Sequence, residues 1–169
     1  MTVKDLEDVY DYGYWANGKL FDVISQLTPE EFTRSVSGSY ESIRNTMVHI
    51  LSAEAGWLDR CGGPARGPKL NPVDFPTVES VTQAWNRVEA NVREFLAKLK
   101  DEDLIRKIEF SFGESEKYSM PLGELMHHAA IHAVHHRGQV AMLLRLLGRA
   151  PGDFDILFYY AVKGASSAN

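Results

Sequence analysis

Apolar residues recur at three- and four-residue steps through four separate segments of the chain, and this spacing constrains the fold more than any other feature. The spacing is that of amphipathic helices, each of which must bury one face against its neighbours. The four segments cover residues 3–27, 43–61, 78–99 and 121–147. The sequence therefore predicts an all-α fold arranged as a four-helix bundle.

Capping and helix-breaking residues mark the ends of these segments. Pro29 ends the first, because proline disfavours helical backbone in the residue before it. Ser42 is placed to cap the second helix, and Gly62 stands at its end. Pro121 suits the first turn of the last helix, which we expect to stop at Gly148. Three of the four predicted helices therefore carry boundary signals of their own.

The segments that join the helices differ in length and pattern. Residues 61–78 are rich in glycine and proline and show no periodicity. A connection of this length is unusual between antiparallel neighbours and indicates a crossover. Alternating apolar residues within 104–120, around a turn at Gly113, predict a short hairpin before the last helix. The apolar run at 154–160 predicts a short, packed C-terminal tail helix.

Composition limits the number of domains and the kinds of partner. With 169 residues and 44% hydrophobic content, residues 1–169 suffice for one core, and we predict a single domain. The formal net charge is -5 and the 18 basic residues are scattered, so no nucleic-acid partner is expected. No segment approaches the ~20 apolar residues of a membrane-spanning helix, so no membrane partner is expected either.

The single cysteine bears on the cellular compartment. Cys61 cannot form a disulfide within the chain, and the start of the sequence lacks the basic and apolar regions of a secretory signal. Proteins without disulfides are typical of reducing compartments. We therefore expect a cytoplasmic location.

All six histidines fall in two places, and this distribution is the main functional signal of the sequence. His49 lies alone in the second helix, and five others lie in the first four turns of the last helix: His127, His128, His132, His135 and His136. Residues four apart share one helix face, so His128, His132 and His136 form a row. The ends of that row are about 12 Å apart, so a single ion can take only two neighbours of the row. A third ligand must come from another helix, and His49 is the candidate.

Such a set of ligands suits a divalent transition metal. Neutral imidazole binds zinc, nickel, iron or copper, and three histidines leave coordination positions open for water and substrate, as catalytic sites do. The alternative is that His49 is a hydrogen-bonded interior residue and that the last-helix pair lies on a solvated face. His127 and His135 lie off the row, and we expect them at the surface or around the ligands.

Three stretches of the sequence resemble the DinB/YfiT superfamily. Residues 132–140 contain the pattern H-x-x-x-H-R-G-Q, which resembles the last-helix signature of that superfamily. Residues 14–17 and 42–60 also agree with it, so the resemblance spans nearly the whole chain. It implies a four-helix bundle of up-down-down-up topology, which would account for the crossover. It also implies three metal ligands: His49, His132 and His136.

The resemblance further implies a class of chemistry. The superfamily includes mycothiol-dependent maleylpyruvate isomerase and bacillithiol transferases, in which a metal binds and activates a low-molecular-weight thiol. The expectation is therefore a zinc, nickel or iron ion, a thiol as a further cofactor, a small electrophile as substrate, and a homodimer. A metal-dependent thiol S-transferase or a related enzyme such as a hydrolase would use these parts. The alternatives are a stress-related metal-binding protein without turnover and a dimerisation module.

Three further residues are expected around the ligands rather than on the metal. Glu54 lies about 140° around the helix from His49, which favours a salt bridge or a supporting role near the site. His128 belongs to the row but not to the implied ligand pair. Arg137 adjoins a ligand and could meet an anionic substrate, but we expect it to pair with a carboxylate of the first or second helix. No sequence pattern assigns a catalytic residue.

Overall fold

The computed structural model is mostly helical, as the sequence predicts, and it describes residues 1–36, 40–65, 67–112 and 116–166. Its α-helices are α1 Val3–Ile24, α2 Pro29–Thr33, α3 Ile43–Arg60, α4 Val78–Leu96, α5 Leu122–Leu146 and α6 Ile156–Ser166. Two strands, β1 Lys107–Phe112 and β2 Glu116–Pro121, form a small sheet, and 3-10 turns cover Pro72–Asp74 and Asp101–Ile105. Within the described ranges, no helix combines the length and the apolar character needed to cross a membrane.

Side-chain caps and turns set the helix ends. The Ser42 hydroxyl accepts a backbone N–H of the first turn of α3 at 3.1 Å, which confirms the predicted start of that helix. The first helix ends at Ile24, earlier than predicted, because hydrogen bonds between residues three apart tighten 25–27 into a turn. Pro29 then begins α2, which was not predicted. Thr28 caps this short helix, and proline at its first position removes no hydrogen bond.

Each of the four long helices packs against two others, so together they close into a bundle. α5 packs against α1 and α3, and α4 packs against the same two helices. α1 and α5 run in the same direction, because Tyr10 contacts Met126 and Asn17 contacts Arg137. Parallel first and last helices are a feature of the up-down-down-up path, which remains our interpretation of the chain topology.

The bundle interior contains two apolar clusters with polar residues between them. The first cluster joins the C-terminal half of α1 to the N-terminal half of α3, and the second joins the opposite halves of the same helices. Three buried polar side chains lie near the boundary, one on each of α1, α3 and α5: Asn17, Glu54 and Arg137. We call these three residues the polar layer. They need partners inside the protein, because unpaired polar groups are costly to bury.

The predicted hairpin is present between α4 and α5. β1 and β2 pair antiparallel, from Lys107 opposite Pro121 to Phe112 opposite Glu116. The turn predicted at Gly113 lies outside the described residues. Ile108 is buried in the second apolar cluster, so the hairpin is anchored to the bundle near the start of α5.

The predicted tail helix is also present, as α6, and it packs on α1. The ring of Tyr159 lies 5.9 Å from that of Tyr12 and 5.7 Å from that of Trp15, measured between centroids. Other apolar side chains of α6 face outward, and Leu157 and Tyr160 are 68% and 56% exposed. The homodimer that the family resemblance implies stays a prediction.

Candidate metal centre

Three histidines from two helices converge on one point. The Nε2 atom of His49, on α3, lies 3.2 Å from Nε2 of His132 and 3.1 Å from Nε2 of His136, both on α5. The Nε2 atoms of the α5 pair are 3.1 Å apart. The fold therefore brings together the three residues that the sequence analysis selected, although 83 positions separate His49 from His132.

Helix geometry explains this convergence. His132 and His136 are four residues apart, so they project from neighbouring turns on one face of α5. α5 packs against α3, from which His49 approaches the same point. His136 is buried, whereas His49 and His132 are half-buried. The cluster thus lies at the edge of the bundle interior.

The three nitrogens fit a single transition-metal ion. Metal–nitrogen bonds of about 2.0–2.1 Å, at angles between about 90° and 110°, place the nitrogens about 2.8 to 3.4 Å apart. The observed separations of 3.1 to 3.2 Å fall inside that range. In the described part of the chain, this is the one group of three such donors. Three protein ligands leave coordination positions open on the ion.

Burial keeps these imidazoles in the neutral form that binds metals. Burial, reinforced by charge repulsion from neighbouring histidines, lowers the pKa of His49 and of His132 from 6.5 to about 4. Burial also lowers the pKa of His136, although its hydrogen bond with Gln139 acts in the opposite direction. At neutral pH each of the three rings therefore has a free nitrogen lone pair.

Gln139 orients the ring of His136. Its Oε1 atom lies 2.7 Å from Nδ1 of His136, so Nδ1 donates and the lone pair of Nε2 faces the other two histidines. Its amide nitrogen lies 3.2 Å from Nε2 of His135, which is consistent with this orientation of the amide. Gln139 was not among the residues for which the sequence predicts a role. Its spacing of three residues from His136, on the same helix face, is the signal that indicates one.

A tyrosine that the sequence did not single out borders the centre. The ring of Tyr40 stacks on that of His49 with centroids 3.9 Å apart and an angle of 20° between the planes. It meets the ring of His136 edge-on at 5.4 Å. Tyr40 precedes Ser42, the N-cap of α3, in a segment without periodicity. No sequence pattern therefore indicated its position.

The other histidines lie outside the converging group. His128 is exposed, and its ring lies edge-on to Trp57 at 5.3 Å and 5.9 Å from the ring of His132. His127 and His135 are exposed on α5, as expected from their positions off the row. His128 therefore provides a control for tests of the converging group, because it belongs to the same row on the same helix.

Glu54 and Arg137 contact the interior of the bundle rather than the converging histidines. Glu54 accepts a hydrogen bond from the Tyr14 hydroxyl at 2.9 Å. Arg137 is 2% exposed, donates to the amide oxygen of Asn17 at 3.2 Å and lies 5.5 Å from the ring of Tyr12. Neither forms an ion pair within 4.0 Å among the described residues. The expectation of a direct carboxylate partner for Arg137 was wrong, because the Asn17 amide takes that place on α1.

Glu54 gives a prediction on the pH dependence of stability. Burial raises the pKa of Glu54 from 4.5 to about 7, although the Tyr14 hydrogen bond and the charge of Arg137 lower it. The protonated carboxyl therefore favours the folded state, and this stabilisation is complete below pH 4.5 and is lost as the pH rises through about 7. The parent protein should therefore lose stability as the pH rises from about 5 to 8, whereas Glu54→Gln has no carboxyl to ionise. Over this interval we expect the free energy of unfolding of Glu54→Gln to rise by about 2 kcal/mol relative to that of the parent.

Urea denaturation of both proteins at the two pH values, with a chelator present, measures this difference. The chelator removes any contribution from bound metal, and the side-chain amide oxygen that the substitution introduces can still accept from Tyr14. A difference between the two proteins that does not change with pH would contradict the prediction.

Comparisons with known proteins identify the family. The model of the DinB family matches residues 1–166. Protein DinB of Bacillus subtilis (strain 168) is 22% identical over 160 residues, which cover 89% of this chain and 92% of that protein. The uncharacterized protein YizA of the same strain is 24% identical over 142 residues, which cover 84% and 87%.

Solved structures show the same fold. A DinB-like protein from Bacillus cereus superposes with a TM-score of 0.73 at 22% identity, covering 90% of this chain and 97% of that one. A conserved protein from Enterococcus faecalis superposes with a TM-score of 0.63 at 16% identity, covering 88% and 99%. These likenesses confirm the mostly helical architecture. Because the family model extends over nearly its whole length, this chain belongs to the DinB family.

Proposed function

We propose that the protein binds one divalent zinc, nickel or iron ion through His49, His132 and His136, and that it uses the open coordination positions to activate a low-molecular-weight thiol for transfer to a small electrophile. The observation that carries this proposal is the mutual approach of the three Nε2 atoms to 3.1–3.2 Å. Neutral rings at this spacing are suited to a shared cation, whereas imidazoles that only packed together would have no need to direct their lone pairs at one point.

The histidines and their neighbours would divide the work of the site. A bound divalent ion would supply Lewis acidity that lowers the pKa of a coordinated thiol or water and so gives a nucleophile at neutral pH. His49 and His132 are half-buried, so they would hold the ion at the edge of the interior, where an exogenous ligand would meet it. Gln139 fixes the ring of His136, the buried member of the group.

The sulfur of the proposed reaction would come from outside the chain. Cys61 is the one cysteine of the sequence, and it is buried in the second apolar cluster. Burial raises the pKa of its thiol from 9.0 to about 11, against the opposing effect of Arg106 and Arg60. A buried thiol with a raised pKa is a poor nucleophile. An external thiol is therefore the partner that this proposal requires.

Metal content tests the ligand assignment. We expect elemental analysis of protein purified without chelator to give about one zinc, nickel or iron per chain, because structural convergence of three imidazoles suits one ion. His132→Ala removes one of the converging nitrogens and should lose the metal. His128→Ala, one turn away on the same face, should retain it. Equal metal content in all three proteins, or none in the parent after dialysis against these ions, would refute the assignment.

Cobalt substitution tests the thiol chemistry. In the cobalt-loaded protein, coordination of cysteine, glutathione or bacillithiol should produce a sulfur-to-metal charge-transfer band. A band that saturates with one of these thiols supports thiol activation. No band with any of them would favour the second candidate, a metal-binding protein without turnover, in which the open positions hold only water.

A further inference from the structure

The ring of Tyr40 covers one face of a candidate ligand. It lies nearly parallel to the imidazole of His49, with 3.9 Å between the centroids, and its edge contact with His136 spans 5.4 Å. Both contacts involve rings whose Nε2 atoms belong to the converging group. Tyr40 therefore touches one ligand from α3 and one from α5.

The three candidate ligands differ in how their rings are held. His136 donates from Nδ1 to Gln139, the arrangement commonly found behind a metal-binding histidine. His132 has a buried Nδ1 without a hydrogen-bond partner among the described residues. His49 likewise has no hydrogen bond from Nδ1 within the described chain, and its stacked partner is Tyr40. Stacking on Tyr40 is therefore the contact in the described chain that bears on the orientation of the His49 imidazole.

A strained turn holds Tyr40 in this position. Glu41 has a φ of 65°, a left-handed conformation that is rare and costly for residues other than glycine. The N–H of Ser42 donates to the carbonyl of Tyr40 at 2.7 Å, and the N–H of Val36 donates to the carbonyl of Glu41 at 2.8 Å. Ser42 also caps α3. The turn thus ties Tyr40 to the first turn of the helix that carries His49.

We propose that Tyr40 is a positioning residue of the metal centre: its ring fixes the imidazole of His49 in the orientation that directs Nε2 at the ion. This inference rests on the proposed metal-binding function. It assigns the effect to the aromatic ring, so a phenylalanine at this position preserves it and an aliphatic residue does not.

Zinc affinity, measured by competition with a chromogenic chelator, tests the proposal. Tyr40→Leu should bind zinc about tenfold more weakly than the parent, the size of effect seen when residues that orient a ligand are removed, whereas Tyr40→Phe should stay within about twofold. In the cobalt-loaded proteins, the d–d absorption bands should shift in Tyr40→Leu and not in Tyr40→Phe. The melting temperatures of the metal-free proteins are measured alongside. A lower melting temperature in Tyr40→Leu would show that the substitution destabilises the whole fold and not only the orientation of the His49 ring.

Tyr118→Leu is the matched control, because Tyr118 also stacks on an aromatic ring, that of Phe110, but on the hairpin. It should leave zinc affinity and cobalt bands unchanged. Parent-like affinity in Tyr40→Leu, or equal weakening in Tyr40→Leu and Tyr40→Phe, would overturn the proposal. Failure of the proposed function is recognised separately, since the parent protein would then bind no metal in the same assay.

Discussion

Zinc or nickel at about a thousand times its dissociation constant is expected to raise the free energy of unfolding of the parent protein by about 4 kcal/mol. The reason is that the three Nε2 atoms meet only when α3 and α5 are packed, so the unfolded chain offers no equivalent site. For a domain of this size, the gain corresponds to an increase in melting temperature of about 10 °C. Thermal denaturation of the chelator-treated protein, with and without added ion, measures it.

Two histidine variants separate specific from adventitious stabilisation. His49→Ala leaves the α5 pair in place but removes the ligand that joins α5 to α3, so most of the increase in melting temperature should disappear. His128→Ala should retain the full increase, because its side chain is exposed and outside the converging group. The same increase in all three proteins would instead indicate weak binding to surface histidines.

The fold was predictable from sequence because its main determinants are local. A helix start depends on one capping residue, as at Ser42, and a helix face depends on the spacing of apolar residues within a few turns. The short helix α2 was missed for a related reason. Pro29 was taken only as the end of the first helix, although proline at a first helical position also begins one when a residue such as Thr28 caps it.

The candidate site was predictable only in part. The row on α5 follows from spacing along one helix, and His49 was selected because an ion needs a ligand from a second helix. Tyr40 could not be selected in this way, since its contact with His49 depends on the backbone turn at Glu41 and on how α3 packs against α5. Contacts of this kind have no periodic signature in the sequence.

The partner of Arg137 was mispredicted for the same reason. The sequence indicates that an arginine next to His136 has carboxylates within reach on neighbouring helices, but it does not indicate which side chains the helix packing places opposite it. The structure places Asn17 there, with Glu54 acting on Arg137 through its charge at longer range. Buried polar side chains thus connect three helices: Arg137 of α5 donates to Asn17 of α1, and Glu54 of α3 accepts from Tyr14 of α1.

Loss of the Arg137 charge is expected to have the second-largest effect on stability. Arg137→Met keeps much of the buried side-chain volume but removes the donor to Asn17 and the cation that lowers the pKa of Glu54. We expect the free energy of unfolding to fall by about 3 kcal/mol at neutral pH, because a buried polar group and a buried carboxyl lose their compensation. Urea denaturation of the metal-free proteins measures the loss.

The pH dependence and a double variant identify the cause of that loss. The pKa of Glu54 is about 7, so its carboxyl is mostly neutral at pH 5.5 and mostly ionised at pH 8. A neutral carboxyl does not need a nearby cation, so the destabilisation by Arg137→Met should be smaller at pH 5.5 than at pH 8. Glu54→Gln removes the charge outright, and the double variant should therefore recover part of the stability lost in Arg137→Met. If the two substitutions were additive and the loss were equal at both pH values, Arg137 would stabilise the bundle through packing and its hydrogen bond to Asn17 alone, independently of Glu54.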